Sequence, residues 1–177
     1  MLELGHRHFL YLPGPKYNLS QTRRYAGIMD ALSEANVPAS NIREIDYHTV
    51  FGSTAESTSS YKPYEELFFP VNYTAVIGFN DLQSYSAMEI LQKKGYRIPE
   101  DISLISFDHL RKTHTYLPPL TSIADNSEKS IADTAVSILL DKIRNPSSEI
   151  SSKVLPVSIF DGHTTGPINE TFAHSFE

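Results

Sequence analysis

The sequence predicts an α/β fold in which a parallel sheet is flanked by helices. Along most of the 177 residues, apolar runs rich in β-branched residues alternate with segments of helical periodicity. Residues 74–79 and 102–107 are runs typical of strands buried on both faces, and residues 82–94 between them have a helical pattern. Strand–helix alternation of this kind indicates parallel pairing with right-handed crossovers.

The first part of the chain follows the same order. Pro13 and Pro15 stop a short β-rich run, and an apolar stripe at i, i+3, i+4 and i+7 marks the helix after it. Asn36 and Pro38 end that helix. A Ser- and Thr-rich segment without periodicity is expected to be a loop. The predicted strand, helix, strand, loop and short helix occupy residues 9–12, 20–35, 42–46, 47–60 and 61–69.

The second part contains the two buried strands and two helices. The helix at 82–94 is expected to end at Lys93 and Lys94, with Gly95 just beyond. The run Asp125-Asn126-Ser127-Glu128 predicts a capping box for a helix at 127–144, after a long connection containing prolines. An extended stretch is expected at 154–160. We expect residues 1–165 to form the folded unit and residues 166–177 a disordered tail.

Composition excludes several classes of function. The net charge of −6 argues against direct binding of a nucleic-acid backbone by these residues. The chain has no cysteine and no signal peptide or apolar run of membrane-spanning length, so a cytoplasmic protein is expected. The seven histidines have no spacing typical of a metal site, and no cofactor motif is present, so neither a metal nor a cofactor is predicted.

Polar side chains follow both buried strands directly. Asn80 comes after the first and Asp108 after the second, and neighbouring parallel strands present such residues at one edge of a sheet. An amide and a carboxylate there suit a hydroxylated small molecule. Asp108 could equally be a turn residue, and Asp81 is expected to be the N-cap of the next helix.

Three further side chains are candidates for ligand contact. Arg24 lies in the first turns of its helix, where a cation gains nothing from the helix dipole, so its planar donors are predicted to contact a ligand oxygen. Arg23 beside it is expected to be solvated. Tyr47 and Phe51 could stack on a sugar face, although an aromatic residue there is more often a packing residue.

In this order and spacing, the motifs resemble the lactose-repressor/galactose-repressor family of bacterial transcription regulators. The similarity covers nearly the whole chain and lies in the second half of the effector domain, which is periplasmic-binding-protein-like (type I). The motifs that carry it are Gly14-Pro15, Arg24-Tyr25-Ala26-Gly27, Asn80-Asp81, Ile98-Pro99-Glu100-Asp101-Ile102-Ser103, Ser106-Phe107-Asp108, Pro118-Pro119-Leu120-Thr121 and Leu155-Pro156.

The resemblance implies a C-terminal lobe with a crossover helix, residues 127–144, that returns to a first lobe. It implies that Arg24, Asn80 and Asp108 contact a small effector, usually a sugar, with a stacking aromatic near Tyr47. It also implies a homodimer, to which Tyr85 and the segment with Tyr116 and Leu117 would contribute, and operator DNA bound only through a domain missing from this chain. Packing of these side chains within one subunit is the alternative. His109 departs from the family, which often has an acidic residue there.

Two other classes of protein fit the strand-end carboxylates less well. A flavodoxin-like enzyme would use Asp81 or Asp108 as nucleophile, but no lysine follows a later strand in the required place. A periplasmic sugar-binding protein would need a signal sequence. The sequence therefore predicts an effector-binding lobe of a repressor of carbohydrate-utilisation genes, without enzymatic activity.

Overall fold

The computed structural model describes residues 1–45, 64–110, 118–126, 130–149 and 152–176. Its strands are β1 (Phe9–Leu12), β2 (Ile42–Glu44), β3 (Ala75–Gly78), β4 (Ser103–Phe107), β5 (Thr121–Asp125) and β6 (Val157–Phe160). Its helices are α1 (Leu19–Glu34), α2 (Asp81–Lys93), α3 (Ile131–Arg144) and α4 (Glu170–Ala173), with 3₁₀ turns at Leu2–Leu4, Ala39–Asn41, Tyr64–Phe68 and His174–Phe176.

The strands form one six-stranded sheet in the order β2-β1-β3-β4-β5-β6. The pairs from β2 to β5 are parallel, and β6 alone runs antiparallel to β5. In register, Tyr11 pairs with Ile77, and Ile77 pairs with Ile105. The carboxyl ends of β1, β3 and β4 therefore lie side by side at one edge of the sheet, as the sequence predicted for β3 and β4.

The sheet separates two hydrophobic clusters because alternate side chains of a strand point to opposite faces. Leu10, Val76 and Leu104 belong to the cluster that includes residues of α2. Phe9, Tyr11 and Ala75 belong to the other, which α1 covers. Burial on both faces explains why the central strands are apolar without alternation. Among the described residues, no helix is long and apolar enough to cross a membrane.

Helices α1 and α2 occur where the apolar periodicity predicts them. The Asn18 side chain accepts a hydrogen bond from Ser20 N–H at the start of α1. Just beyond the carboxyl end of α2, Gly95 has a φ of 92°, a left-handed conformation that only glycine adopts without strain. The predicted helix at 61–69 is a 3₁₀ turn over Tyr64–Phe68 among the described residues.

The region after β4 differs from the prediction. Thr121–Asp125 was expected to be a connection but forms strand β5, which places an additional strand in the sheet. The predicted capping box at residues 125–128 is wrong, because α3 begins at Ile131 with Ser130 as its N-cap. Ser130 Oγ accepts a hydrogen bond from Asp133 N–H at 3.1 Å.

The expectation of a disordered tail over residues 166–177 is also wrong. Ile168 N–H donates to Leu4 O at 2.8 Å, and Phe172 packs edge-on against Tyr96 with ring centroids 5.9 Å apart. The His6 ring, 1% exposed, bonds Thr74 Oγ1 through Nδ1, and its Nε2 lies 3.0 Å from both Ser103 Oγ and Gly166 O. Long-range hydrogen bonds therefore hold the tail against the amino ends of β3 and β4.

Candidate functional site

The candidate site lies where β3 and β4 end next to each other. Asp108 directly follows β4, and Asn80 follows β3 after Phe79. The first turn of α1 is held at the same edge by Gln21. Its Oε1 accepts hydrogen bonds from Tyr11 O–H in β1 and from Gly14 N–H just after that strand, both at 2.7 Å. Burial raises the pKa of Tyr11 to about 12, so its hydroxyl stays a donor. This anchor positions the residues one turn later in α1.

Arg24 is the side chain that joins the two strand ends. Its Nη2 donates to Asp108 Oδ1 at 2.8 Å, and its Nη1 donates to the carbonyl oxygen of Phe79 at 2.5 Å. The guanidinium lies 4.8 Å from the ring centroid of Phe79 and 4.6 Å from that of Phe107. Each such cation–π contact contributes about 0.5–2 kcal/mol. Arg24 is therefore held in one place before any ligand arrives.

A cleft of about 600 Å³ opens beside this pair. Arg24, Phe107 and Asp108 form one wall, and the end of β5, one side of α3 and the segment before β6 form the others. The lining is mainly apolar, and its charged residues are Arg24, Asp108, Asp125 and Lys153. Small-molecule sites commonly have this composition, in which a few polar groups orient a ligand within an apolar pocket.

Asp108 has an unusual backbone conformation. Its φ is 96°, and that of His109 is 47°, so two consecutive non-glycine residues lie in the left-handed region. Such conformations cost free energy and persist only where the surroundings enforce them. Asp108 N–H donates to Ile123 O on β5, and the His109 ring stacks on Phe160 of β6 with centroids 4.2 Å apart. The missed strand β5 is therefore part of the site.

Asn80 lies at the predicted strand end, and its side chain caps the next helix. Its side-chain oxygen accepts from Gln83 N–H at 2.9 Å, so Asn80 is the N-cap of α2 and is not part of the cleft lining. Asp81, expected to be the cap, is the first residue of the helix and is 2% exposed. Either residue type suits an N-cap, so the sequence alone did not distinguish them.

Tyr85 is not a surface residue. It is 5% exposed and belongs to the hydrophobic cluster packed against α2, which favours the alternative of packing within the subunit over a place in a dimer interface. Tyr47, Phe51, Tyr116 and Leu117 lie outside the described residues. Their predicted roles remain predictions.

Phe79 and Phe107 are two residues around Arg24 that sequence reasoning did not single out. Each lies directly before a predicted contact residue at a strand end, and that repeated position was the available signal. The described residues contain no cluster of His, Cys, Asp or Glu suited to a metal ion. The Asp108 carboxylate is paired with Arg24.

A family profile described as the periplasmic binding protein-like domain matches residues 1–165. The chain belongs to this family. It is 33% identical over 155 residues to the HTH-type transcriptional repressor PurR of Escherichia coli, a match that covers 86% of this chain and 43% of that repressor. The chain thus spans less than half the length of this relative.

Solved structures of the family agree with the fold. A LacI family transcriptional regulator from Enterococcus faecium with bound ribose superposes with a TM-score of 0.76 at 25% identity, covering 95% of this chain and 60% of that one. A dimeric Lac repressor with an 11-residue C-terminal deletion gives a TM-score of 0.73 at 26% identity, covering 95% and 58%. The resemblance to effector domains of the lactose-repressor/galactose-repressor family is confirmed.

Proposed function

We propose that this chain is the effector-binding lobe of a transcription repressor that regulates carbohydrate-utilisation genes, and that its effector is a small sugar. The pairing of Arg24 with Asp108 at the mouth of the cleft carries this proposal. A carboxylate accepts hydrogen bonds from two neighbouring hydroxyls, and the guanidinium donates to a ring or hydroxyl oxygen. Phe107 supplies an apolar surface beside them.

The comparisons support the class of function. The curated relative is a transcriptional repressor, and the ribose-bound regulator shows that a protein of similar fold holds a sugar. The chemistry of the cleft, which combines one fixed ion pair with apolar walls, supports a neutral polyhydroxyl ligand over a highly charged one. Asn80 and Tyr47 complete the proposed contact set, and both rest on the sequence resemblance.

In the complete protein, effector binding would favour one closure of two lobes and so change the placement of DNA-binding heads. A ligand shifts such an equilibrium only by its differential affinity for the two states. Operator DNA would be bound by a domain outside this chain. A cytoplasmic location follows from the proposed role in transcription, and a homodimer is proposed with Tyr116 and Leu117 at its interface.

Calorimetric titration with D-ribose, D-galactose and D-glucose tests the proposal. The complete gene product should bind one of them, and Asp108→Asn should weaken binding at least tenfold, whereas Asp133→Asn, on an exposed helix start, should not. This lobe alone offers half a cleft and should bind at about millimolar Kd or weaker. Micromolar binding by the 177-residue chain would contradict the half-cleft, and a complete protein that binds no sugar in a wider panel would contradict the function.

A further inference from the structure

We propose that Asp81 and Ser122 are positioning residues that hold the turn carrying the Asp108 carboxylate, an inference that rests on the proposed function of Asp108. Neither residue lines the cleft. Both are buried, at 2% and 0% exposed, and both reach the backbone directly after Asp108.

The turn needs stabilising contacts from other elements because of its backbone conformation. Asp108 and His109 have φ values of 96° and 47°, and residues with side chains leave this region when nothing enforces it. The two peptide N–H groups that follow the strained residues belong to His109 and Leu110. Asp108 directly precedes these two peptide groups. Hydrogen bonds that fix the two groups therefore also fix the backbone from which the Asp108 side chain projects.

Asp81 supplies one hold. Its Oδ2 accepts from Leu110 N–H at 2.5 Å, across 29 residues of sequence. Asp81 is itself fixed as the first residue of α2, where the helix dipole favours a carboxylate. The two residues at the start of α2 therefore have different roles: Asn80 caps the helix, and Asp81 accepts a hydrogen bond from the backbone that follows β4.

Ser122 supplies the other hold and links it to the first. Its Oγ accepts from His109 N–H at 2.9 Å and donates to Asp81 Oδ1 at 2.8 Å. Ser122 is the second residue of β5 and is fully buried, where an apolar side chain would otherwise be expected. The three elements α2, β4 and β5 are thus joined at the turn by one chain of hydrogen bonds.

The chain also contains a matched control pair. Ser130 Oγ donates to Asp133 Oδ2 at 2.8 Å at the start of α3, which repeats the Ser–Asp contact at an exposed position. Substitutions at Ser130 and Asp133 therefore reproduce the loss of a hydroxyl or a carboxylate at a helix start. They remove no contact to His109 or Leu110.

The test is nuclear magnetic resonance of the ¹⁵N-labelled chain, comparing S122A and D81A with S130A and D133A. Amide hydrogen exchange at His109 should speed up about tenfold in S122A, and at Leu110 about tenfold in D81A, the factor expected for one lost buried hydrogen bond. The Arg24 Nε–H signal should shift in both variants, because its partner Asp108 is no longer held. D81N keeps an acceptor oxygen and should recover most of the wild-type Leu110 and Arg24 signals.

A merely structural role would lower the melting temperature of S122A and leave the Arg24 signal of the folded protein unchanged, and that result would overturn the proposal. The S122A change removes a single oxygen atom, so the test remains decisive if D81A fails to fold. The proposed function fails separately. If the Arg24 signal responds while the complete gene product binds no sugar, the positioning of Asp108 is supported and the sugar assignment is wrong. If S122A and the wild type bind sugar equally, the sugar assignment is supported and the positioning role is wrong.

Discussion

Arg24 and Asp108 are 84 residues apart in sequence and meet with Nη2 and Oδ1 separated by 2.8 Å. The pair is partly open, since the arginine side chain is 23% exposed and the aspartate 38%. Solvent screening limits what such a pair contributes to the free energy of folding. Under the proposed function, the ligand would reach the pair from its exposed side.

The first prediction concerns the shape of the Arg24 cation. Arg24→Lys keeps the charge but loses the planar group that stacks on two phenylalanines and donates twice. We expect sugar affinity of the complete protein to fall about tenfold or more, and stability to fall by about 1 kcal/mol. Isothermal calorimetry and urea unfolding measure the two effects. Arg23→Lys, on the exposed neighbour, should change neither.

The second prediction separates two roles of Asn80. Asn80→Ala removes the N-cap of α2 and should destabilise the chain by about 1 kcal/mol. Asn80→Asp retains an equally good cap, so its stability should stay within a few tenths of a kcal/mol of wild type. If the amide also contacts the effector, Asn80→Asp should still weaken sugar binding by the complete protein. Unchanged binding in calorimetry would assign Asn80 to the cap alone.

The third prediction concerns the space beside Phe79. A Cβ atom at Gly14 would lie 2.6 Å from the Phe79 ring, which carries the Arg24 guanidinium. Gly14→Ala should therefore cost about 1–3 kcal/mol in chemical unfolding and disturb the Arg24 contacts. Gly27→Ala is the control, because nothing lies within 4 Å of a Cβ there. It lies within α1 and should stabilise the chain by about 0.5–1 kcal/mol.

The fourth prediction is acid sensitivity through His6. Burial, more than any other influence, lowers the pKa of His6 from 6.5, so the unfolded chain takes up the proton more readily than the folded one. The stability contributed by neutral His6 is complete above pH 6.5 and is lost as the pH falls through the lowered folded pKa, by at most about 1.4 kcal/mol per pH unit.

Urea unfolding between pH 7 and 5 measures this dependence. His6→Gln should lower stability at pH 7, because the ring bonds Thr74 and Ser103, and should flatten the slope below pH 6.5. His163→Asn serves as the control, since that side chain is 83% exposed and asparagine tolerates its φ of 64°. An equally steep slope in the His6 variant would assign the acid sensitivity to other groups.

The sequence predicted the part of the fold that depends on local pattern. The unit β3-α2-β4 followed from two buried strands and one periodic helix, and the adjacent strand ends followed from parallel pairing. Strand β5 was missed because Thr121 and Ser122 interrupt its apolar character, and their burial depends on partners 40 or more residues away. The tail was missed for the same reason: its order depends on His6 and Leu4 and not on any periodicity of its own.

The candidate site was predicted in outline and not in detail. Arg24 and Asp108 were identified by position, and the structure pairs them at the cleft. The exchange of roles between Asn80 and Asp81 could not be predicted, because which one caps the helix depends on the Leu110 and Ser122 contacts that engage Asp81. Sequence spacing gives the edge of the sheet, and tertiary contacts decide which atoms face a ligand.

The contact between Ile168 and Leu4 brings the two ends of the polypeptide together on the side of the sheet away from Arg24. A label attached near this contact, for example at residue 168, would therefore lie at the edge of the sheet opposite the cleft. Such a label would report on the folded state of the lobe without obstructing the ligand-facing edge.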